Sequence, residues 1–117
     1  MSNFTNFEES WKRGVDPDLE ASVMKDLIVI FESFWLHNNI KEKSKTTQRR
    51  RLSSFCFLGS YVVDAFIEGE ISSVIDYFSD ETMKYGGPLI HHDDEQAQSE
   101  IDTTCKQIHK FLTANLP

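Results

Sequence analysis

The segment 16–38, which reads DPDLEASVMKDLIVIFESFWLHN, decides the fold of this 117-residue chain. Asp16 is a strong N-cap residue, Pro17 suits the first helical position, and acidic side chains follow in the first turn. Apolar residues then recur with helical spacing at Leu19, Val23, Leu27, Ile30, Phe31 and Phe34. Three further apolar residues widen this stripe: Ile28, Trp35 and Leu36. The pattern predicts a central helix, apolar on nearly every side, that ends at about Asn38.

Residues 1–14, on the N-terminal side of this helix, predict a short docking helix. Phe4, Phe7 and Trp11 share one helical face, and Gly14 stops the pattern. We expect these rings to cover this chain's own bundle. The same face also suits docking on a second subunit or on another protein.

A third helix is predicted from Thr46 or Thr47, either of which can serve as the N-cap, to about Glu68. Its buried face has helical spacing: Leu52, Phe55, Gly59, Val62 and Phe66. Gly59 costs about 1 kcal/mol relative to Ala in mid-helix, so it predicts the close approach of a neighbouring helix. Gly69 ends the pattern.

A short fourth helix is predicted from Val74 to about Met83, with Ser72 or Ser73 as its N-cap. The residues that follow, YGGPL at 85–89, are typical of a turn and would end the helix.

The last helix is predicted to have the acidic triplet 93–95 at its N-terminus and to reach about Asn115. Its inward stripe consists of Ala97, Ile101, Cys105, Ile108 and Leu112. No segment alternates with period two for long enough to predict a strand. We therefore expect an all-α fold in a single domain, residues 1–117: a compact bundle of four main helices plus a short N-terminal helix.

The charge of the chain is distributed unevenly. Its total is −7, yet six of its twelve basic residues lie within 41–51, KEKSKTTQRRR, against a single acidic one. That segment carries +5 and the rest of the chain −12. The net charge argues against general affinity for nucleic acid, although a local basic patch can still bind phosphate. The uneven distribution indicates a local surface that meets an anion or an acidic partner.

Residues 41–51 are predicted to form a basic loop and the start of the third helix. The candidate residues for binding an anion or a partner are Lys41, Lys43, Lys45, Thr46, Arg49, Arg50 and Arg51. Helix N–H groups, a hydroxyl group and surrounding cations together suit a phosphate or carboxylate. Three alternatives are open: the cations pair with acids of neighbouring helices or stay solvated, they bind an acidic protein, or they bind nucleic acid or another phosphate.

No catalytic residue, metal site or cofactor is expected. His91 and His92 precede the acidic triplet, and Cys105 and His109 follow at i and i+4. However, acids are what a helix start prefers, Cys105 belongs to the core stripe, and no second ligand pair has zinc-finger spacing. No nucleophile stands beside a base in a recognisable arrangement, so we do not expect an enzyme.

The sequence also predicts a cytoplasmic location. No signal peptide is visible, and the most apolar stretch, 27–36, is too short to span a membrane. Cys56 and Cys105 are far apart and lack C-x-x-C spacing, which is typical of free, buried thiols in the cytosol.

Two resemblances concern the third helix. Residues 44–55, SKTTQRRRLSSF, with 58–63, LGSYVV, resemble a helix of the SAM-like core-binding domain of tyrosine recombinases. In that family the domain is a small helical bundle that clamps DNA. The chain lacks the recombinase catalytic residues, so recombinase activity is not implied. The same helix, with GGPL at 86–89, TTCK at 103–106 and KFL at 110–112, is similar to small uncharacterised bacterial proteins.

These expectations define two hypotheses of function. The first is a non-enzymatic bacterial interaction or regulatory module that binds a protein partner or associates with itself. The second is nucleic-acid or phosphate binding through 41–51. No membrane association is expected.

Overall fold

The fold is all-α, as predicted, in a computed structural model that describes residues 7–114. It contains helices α1 (Phe7–Trp11), α2 (Pro17–His37), α3 (Lys45–Ile67), α4 (Val74–Ser79) and α5 (Glu95–Ala114), and two 3-10 turns (Ile40–Glu42 and Glu81–Lys84). Helix α2 contacts the four other helices and is the centre of the bundle. The predictions for Phe4 and for an end at Asn115 lie outside the described residues.

Helix α2 begins as its sequence predicts. The Asp16 carboxylate accepts a hydrogen bond from the Leu19 N–H at 3.3 Å, and Pro17 is the first helical residue. The helix ends at His37, because Asn39 takes the left-handed conformation (φ 52°) and turns the chain into the first 3-10 turn. The prediction that Leu36 belongs to the buried stripe of α2 was wrong, since this residue is 73% exposed.

Helix α3 begins earlier than predicted. Neither Thr46 nor Thr47 is the N-cap; Ser44 is, and its Oγ accepts from the Thr47 N–H at 3.1 Å. The Gln48 side chain fixes this start, because its Nε2 donates to the main-chain oxygens of the 3-10 turn region, Lys41 at 3.1 Å and Lys43 at 2.9 Å. The three arginines at 49–51 therefore lie in the second turn of α3, beyond the strongest field of the helix N-terminus.

Helix α4 is shorter than predicted, although Ser73 caps it as expected. The chain leaves helical geometry at Asp80 (φ −60°, ψ 141°). The Asp80 carboxylate then accepts from the Thr82 N–H at 2.9 Å and from the Thr82 hydroxyl at 2.7 Å, which starts the second 3-10 turn. These bonds lower the pKa of Asp80.

Stacked aromatic rings join α2, α3 and α4 in the core. Phe31 and Phe55 stack with centroids 4.4 Å apart, and Phe78 of α4 meets Phe31 edge-on at 6.0 Å. Phe34 contacts Phe55 in the same edge-on manner at 6.1 Å. All four rings are fully buried, so they tie three helices into one apolar core.

The indole of Trp11 attaches α1 to α3. Trp11 is fully buried, and its Nε1 donates to the main-chain oxygen of Cys56 at 3.0 Å. A Cβ atom at Gly59 would collide with the ring, at Cε2 and Cζ2. The approach predicted at Gly59 is therefore made by a side chain of α1, which packs directly on the backbone of α3.

The turn between α1 and α2 is organised by one carboxylate. Glu20, which is 2% exposed, accepts hydrogen bonds from four consecutive main-chain N–H groups, those of residues 13–16, at 2.6, 3.0, 2.9 and 2.8 Å. These bonds lower the pKa of Glu20 to about 2. The Arg13 side chain extends the attachment to α3 through an ion pair with Asp64, Nε to Oδ1 at 2.7 Å.

The side chains of α5 hold the irregular segment 86–91. Gln98 Oε1 accepts from the N–H groups of Ile90 and His91, both at 2.9 Å, and Gln98 Nε2 donates to the Pro88 oxygen at 2.9 Å. Asp102 accepts from the Gly87 N–H at 3.0 Å. The segment therefore lies along α5 although it has no regular secondary structure.

One buried hydroxyl group gives a first testable prediction. Thr104 is fully buried, and its Oγ1 has no hydrogen-bond partner among the described residues. We expect Thr104→Val to raise the free energy of unfolding by about 1 kcal/mol, because the substitution keeps the shape and removes an unsatisfied polar group. Urea denaturation measures the change. Thr113→Val is the control, since the Thr113 hydroxyl is exposed and bonded to the His109 oxygen at 2.9 Å. A loss of stability in Thr104→Val would contradict the prediction.

Candidate anion- and partner-binding site

The basic segment is divided between two elements. Lys41 lies in the first 3-10 turn, Lys43 follows it, and Lys45 is the first residue of α3. Their side chains are exposed. Arg49 is also exposed and lies one helical turn beyond Lys45 on the same side of α3. Within residues 7–114, none of these four cations forms an ion pair.

The next two arginines face α5 and share one acid. Arg51 Nη1 lies 3.1 Å from Glu100 Oε2, and Arg50 Nη1 lies 3.9 Å from Glu100 Oε1. The Arg51 side chain is 13% exposed and the Arg50 side chain 50%. For these two residues, pairing with a neighbouring helix is the alternative that the structure realises. Arg51 joins α3 to α5, whereas Arg50 keeps part of its guanidinium group in solvent.

The start of α3 has fewer groups available to bind an anion than the sequence predicts. The Thr47 N–H, one of the donors that an anion could use, is bonded to Ser44 Oγ. The three arginines lie in the second turn of the helix, whereas the predicted anion site needs them at the first turn. Thr46 is exposed, but its side chain borders a cleft between α3 and α5.

This α3–α5 cleft has a volume of about 310 Å³. Its lining includes Thr46, Arg49, Arg50, Phe57, His91 and Glu100. Phe57 is 44% exposed, and the His91 ring meets it edge-on with centroids 4.6 Å apart. The cleft thus combines an aromatic wall with two guanidinium groups and one carboxylate.

Sequence reasoning missed Phe57 and His91. A signal for Phe57 was available, because residues 46, 50, 53 and 57 follow one another at helical spacing on the face of α3 opposite its core stripe. A large apolar residue on that otherwise polar face indicates a contact surface. His91 could not be found in this way, since it comes from the irregular segment 86–91.

The geometry suits recognition of a ligand that is both anionic and apolar. An acidic group can reach Arg49 and the exposed part of Arg50. An apolar group can rest on Phe57 inside the cleft. Glu100 opposes an incoming anion, because it already holds Arg50 and Arg51.

Three of the other residues considered for metal binding or catalysis, Asp94, Cys105 and His109, have structural roles. The Asp94 carboxylate accepts from the Ala97 N–H at 3.0 Å at the start of α5, and His109 is buried with Nδ1 3.2 Å from the Phe78 oxygen. Burial and the nearby Asp102 carboxylate raise the pKa of Cys105 to about 12, so its thiol is not a nucleophile near neutral pH. Across residues 7–114, no three His, Cys, Asp or Glu side chains come together as a metal site would require.

Cys56 is half-buried, not buried as expected, and both cysteines are free. None of the described helices combines the length and the apolar character that crossing a bilayer requires.

A comparison of the chain with family models, curated proteins and solved structures gave no match. The resemblances to the recombinase core-binding domain and to small bacterial proteins therefore stay predictions.

Proposed function

We propose that this chain is a non-catalytic binding module of the bacterial cytoplasm whose α3–α5 cleft receives an acidic segment of a protein partner. The observation that carries the proposal is the position of Arg49, an exposed cation without an ion pair among the described residues, at the rim of a cleft with an exposed aromatic wall. Three further exposed cations, Lys41, Lys43 and Lys45, precede it in the 3-10 turn region and at the start of α3.

Charge complementarity selects an acidic partner. Outside 41–51 the chain carries −12, so an acidic segment is attracted only to this end of the molecule. The aromatic wall formed by Phe57 favours a protein segment over a phosphate backbone, because an apolar side chain gains from burial there and a phosphate does not. The partner is therefore expected to present acidic residues around one apolar residue.

The test uses a fluorescein-labelled peptide of glutamates around a central leucine, and the same peptide with glycine in place of the leucine. We expect Arg49→Glu to weaken binding of the leucine peptide about tenfold, because it reverses a cation at the rim of the cleft. Phe57→Ser should weaken the leucine peptide and leave the glycine peptide unchanged. Fluorescence anisotropy measures both. Lys25→Glu, an equal charge change at an exposed site of α2, is the control.

Glu100 provides a change in the opposite direction. Glu100→Gln should tighten binding of the leucine peptide about threefold, because it removes the carboxylate that competes for the two guanidinium groups while keeping one acceptor oxygen for Arg51. Glu68→Gln, at the exposed end of α3, is the matched control. Equal affinities in all these variants would overturn the proposal. Sedimentation of the unliganded protein gives its mass in solution. A dimer would indicate that the partner is a second copy of this acidic chain, and a monomer would indicate a different protein.

Nucleic acid is the second candidate, because the same four exposed cations are free to contact phosphates. In that case the leucine would have no influence and Phe57→Ser would leave binding unchanged. Affinity for a DNA duplex would fall with salt at a slope of about −3.6 on a log–log plot if all four cations contact phosphates.

A further inference from the structure

A second cavity is lined by α3, by α4 with the chain that follows it, and by α5. It has a volume of about 550 Å³, and its lining includes Tyr61, Tyr77, Tyr85, Leu89, Gln98 and Asp102. We name it the tyrosine groove. On α5 the two cavities are lined by different residues, because Gln98 and Asp102 line the groove while Ala97, Glu100 and Ile101 line the cleft.

Three tyrosine rings border the groove. Tyr61 and Tyr77 stack at 6.5 Å with an interplanar angle of 28°. Tyr85 is 83% exposed, an unusual degree of exposure for so large a ring. The faces of tyrosine rings carry partial negative charge and attract cations that come within about 6 Å of the ring centre.

The charge of the groove has one sign. Among the described residues of its lining there is no Lys, Arg or His, and there is one carboxylate, that of Asp102. The hydrogen bonds that Asp102 accepts from Gly87 N–H and Gln98 Nε2, both at 3.0 Å, reach only Oδ1. Lys106 lies one turn further along α5, but within residues 7–114 Asp102 forms no ion pair. The carboxylate is therefore fixed in position by hydrogen bonds from neutral donors.

Two glycines let the chain lie this close to the carboxylate. A Cβ atom at Gly86 would lie 2.9 Å from Asp102 Oδ1, and the φ of Gly86 (138°) disfavours other residues. At Gly87 a Cβ atom would collide with the sulfur of Cys105. Because these two residues have no side chain, the main chain can pack directly against Asp102 and form the wall of the groove.

We infer that the tyrosine groove binds an organic cation, an ammonium or guanidinium group held between tyrosine faces and the carboxylate of Asp102. Aromatic faces beside a single carboxylate are the surroundings that such cations prefer over water. An anion would meet only negative charge here. A hard metal ion would find too few charged ligands, because Asp102 is the one carboxylate among the described lining residues. The inference concerns a site separate from the α3–α5 cleft and of opposite charge.

Titration with tetramethylammonium chloride tests this inference, with sodium chloride as the reference. Chemical shifts of the amides of Gly87 and Gln98, followed by NMR on uniformly ¹⁵N-labelled protein, should move with tetramethylammonium and saturate in the millimolar range. Equal shifts with both salts, or none with either, would overturn the inference.

Matched variants assign the contacts. Asp102→Asn keeps Oδ1 as an acceptor for its two hydrogen bonds and should weaken binding about fivefold. Tyr85→Ala should weaken it about threefold, whereas Tyr85→Phe, which keeps the ring face, should leave the affinity within about twofold. Asp26→Asn, an exposed acid of α2 outside the groove, is the control. If Tyr85→Ala and Asp102→Asn both bound like the unsubstituted protein, the site would lie elsewhere and the inference would fail.

A second arm identifies the source of the cation. A Gly-Lys-Gly peptide with blocked ends is titrated beside tetramethylammonium. Tighter binding of the peptide indicates a lysine of a protein ligand, and tighter binding of tetramethylammonium indicates a free quaternary amine; both results support the inference. Arg49→Glu should leave either affinity within about twofold, since screening limits its effect across the surface. If neither cation binds the groove, the function proposed for the cleft is unaffected, because the cleft is tested with different ligands and different variants.

Discussion

Gly59→Ala is expected to destabilise the protein by about 2 kcal/mol, although Ala is the better helix former, because the added methyl group collides with the Trp11 ring. The higher helix propensity of Ala offsets only about 1 kcal/mol of that collision. The collision outweighs the helix propensity because the Trp11 ring has no free space to move into. The ring is fully buried and its Nε1 is bonded to the Cys56 oxygen, so a shift would cost burial and this hydrogen bond.

The same substitution is expected to have the opposite sign once the indole is gone. In a Trp11→Leu background, which itself costs about 2 kcal/mol of burial, Gly59→Ala should stabilise by up to about 1 kcal/mol through helix propensity. The interaction energy of the double-mutant cycle is then about 3 kcal/mol. Urea denaturation of the four proteins measures it. Ser53→Ala, at an exposed position of α3, is the control and should change stability by less than about 0.5 kcal/mol. A stabilising Gly59→Ala with Trp11 present would show that the ring does not pack on α3.

Acid is expected to destabilise the fold through Glu20. Its pKa in the folded protein is about 2, against an ordinary value of 4.5, because four main-chain N–H groups bond to the charged carboxylate. The folded state thus holds the charged form more strongly than the unfolded state does. The resulting stabilisation is fully present above about pH 4.5 and is lost as the pH falls towards 2. In that interval unfolding should take up roughly one proton at this residue.

Glu20→Gln tests the assignment. The variant should be less stable than the original at pH 7, since Gln offers one neutral oxygen to four donors, and its stability should change much less between pH 4.5 and 2. Urea denaturation at several pH values gives the proton uptake from the slope. Asp80, whose pKa is also lowered, accounts for part of the remaining slope. Glu70→Gln, at an exposed position, is the control. An unchanged pH dependence in Glu20→Gln would contradict the prediction.

Local signals predicted most of the helices, and the errors occurred where several local signals competed. Helix α2 was predicted closely because its cap and its proline are adjacent in the sequence. The start of α3 was wrong because 44–47, SKTT, offers three hydroxyl residues that can cap, and the choice depends on Gln48 bonding back to the preceding turn. The end of α4 was wrong because Asp80 followed by Glu81 is itself a helix-start signal and was read as a continuation.

The composition located the basic segment but could not show which of its cations form ion pairs and which stay exposed. That Arg50 and Arg51 share Glu100 while Arg49 does not depends on the packing of α5 on α3, which joins residues about fifty positions apart in the sequence. The tyrosine groove depends in the same way on three separate segments. The one acid that organises the turn before α2, Glu20, looked like an ordinary acid of a first helical turn.

The segment 86–91 is a wall common to two sites. His91 at its end lines the α3–α5 cleft, Leu89 lines the tyrosine groove, and one amide side chain, that of Gln98, bonds to the main chain between them. A ligand that displaces this wall in either site also deforms the other. Only for such a ligand would binding at the two sites be thermodynamically linked, and then whatever one ligand does to the affinity for the second, the second would do equally to the first.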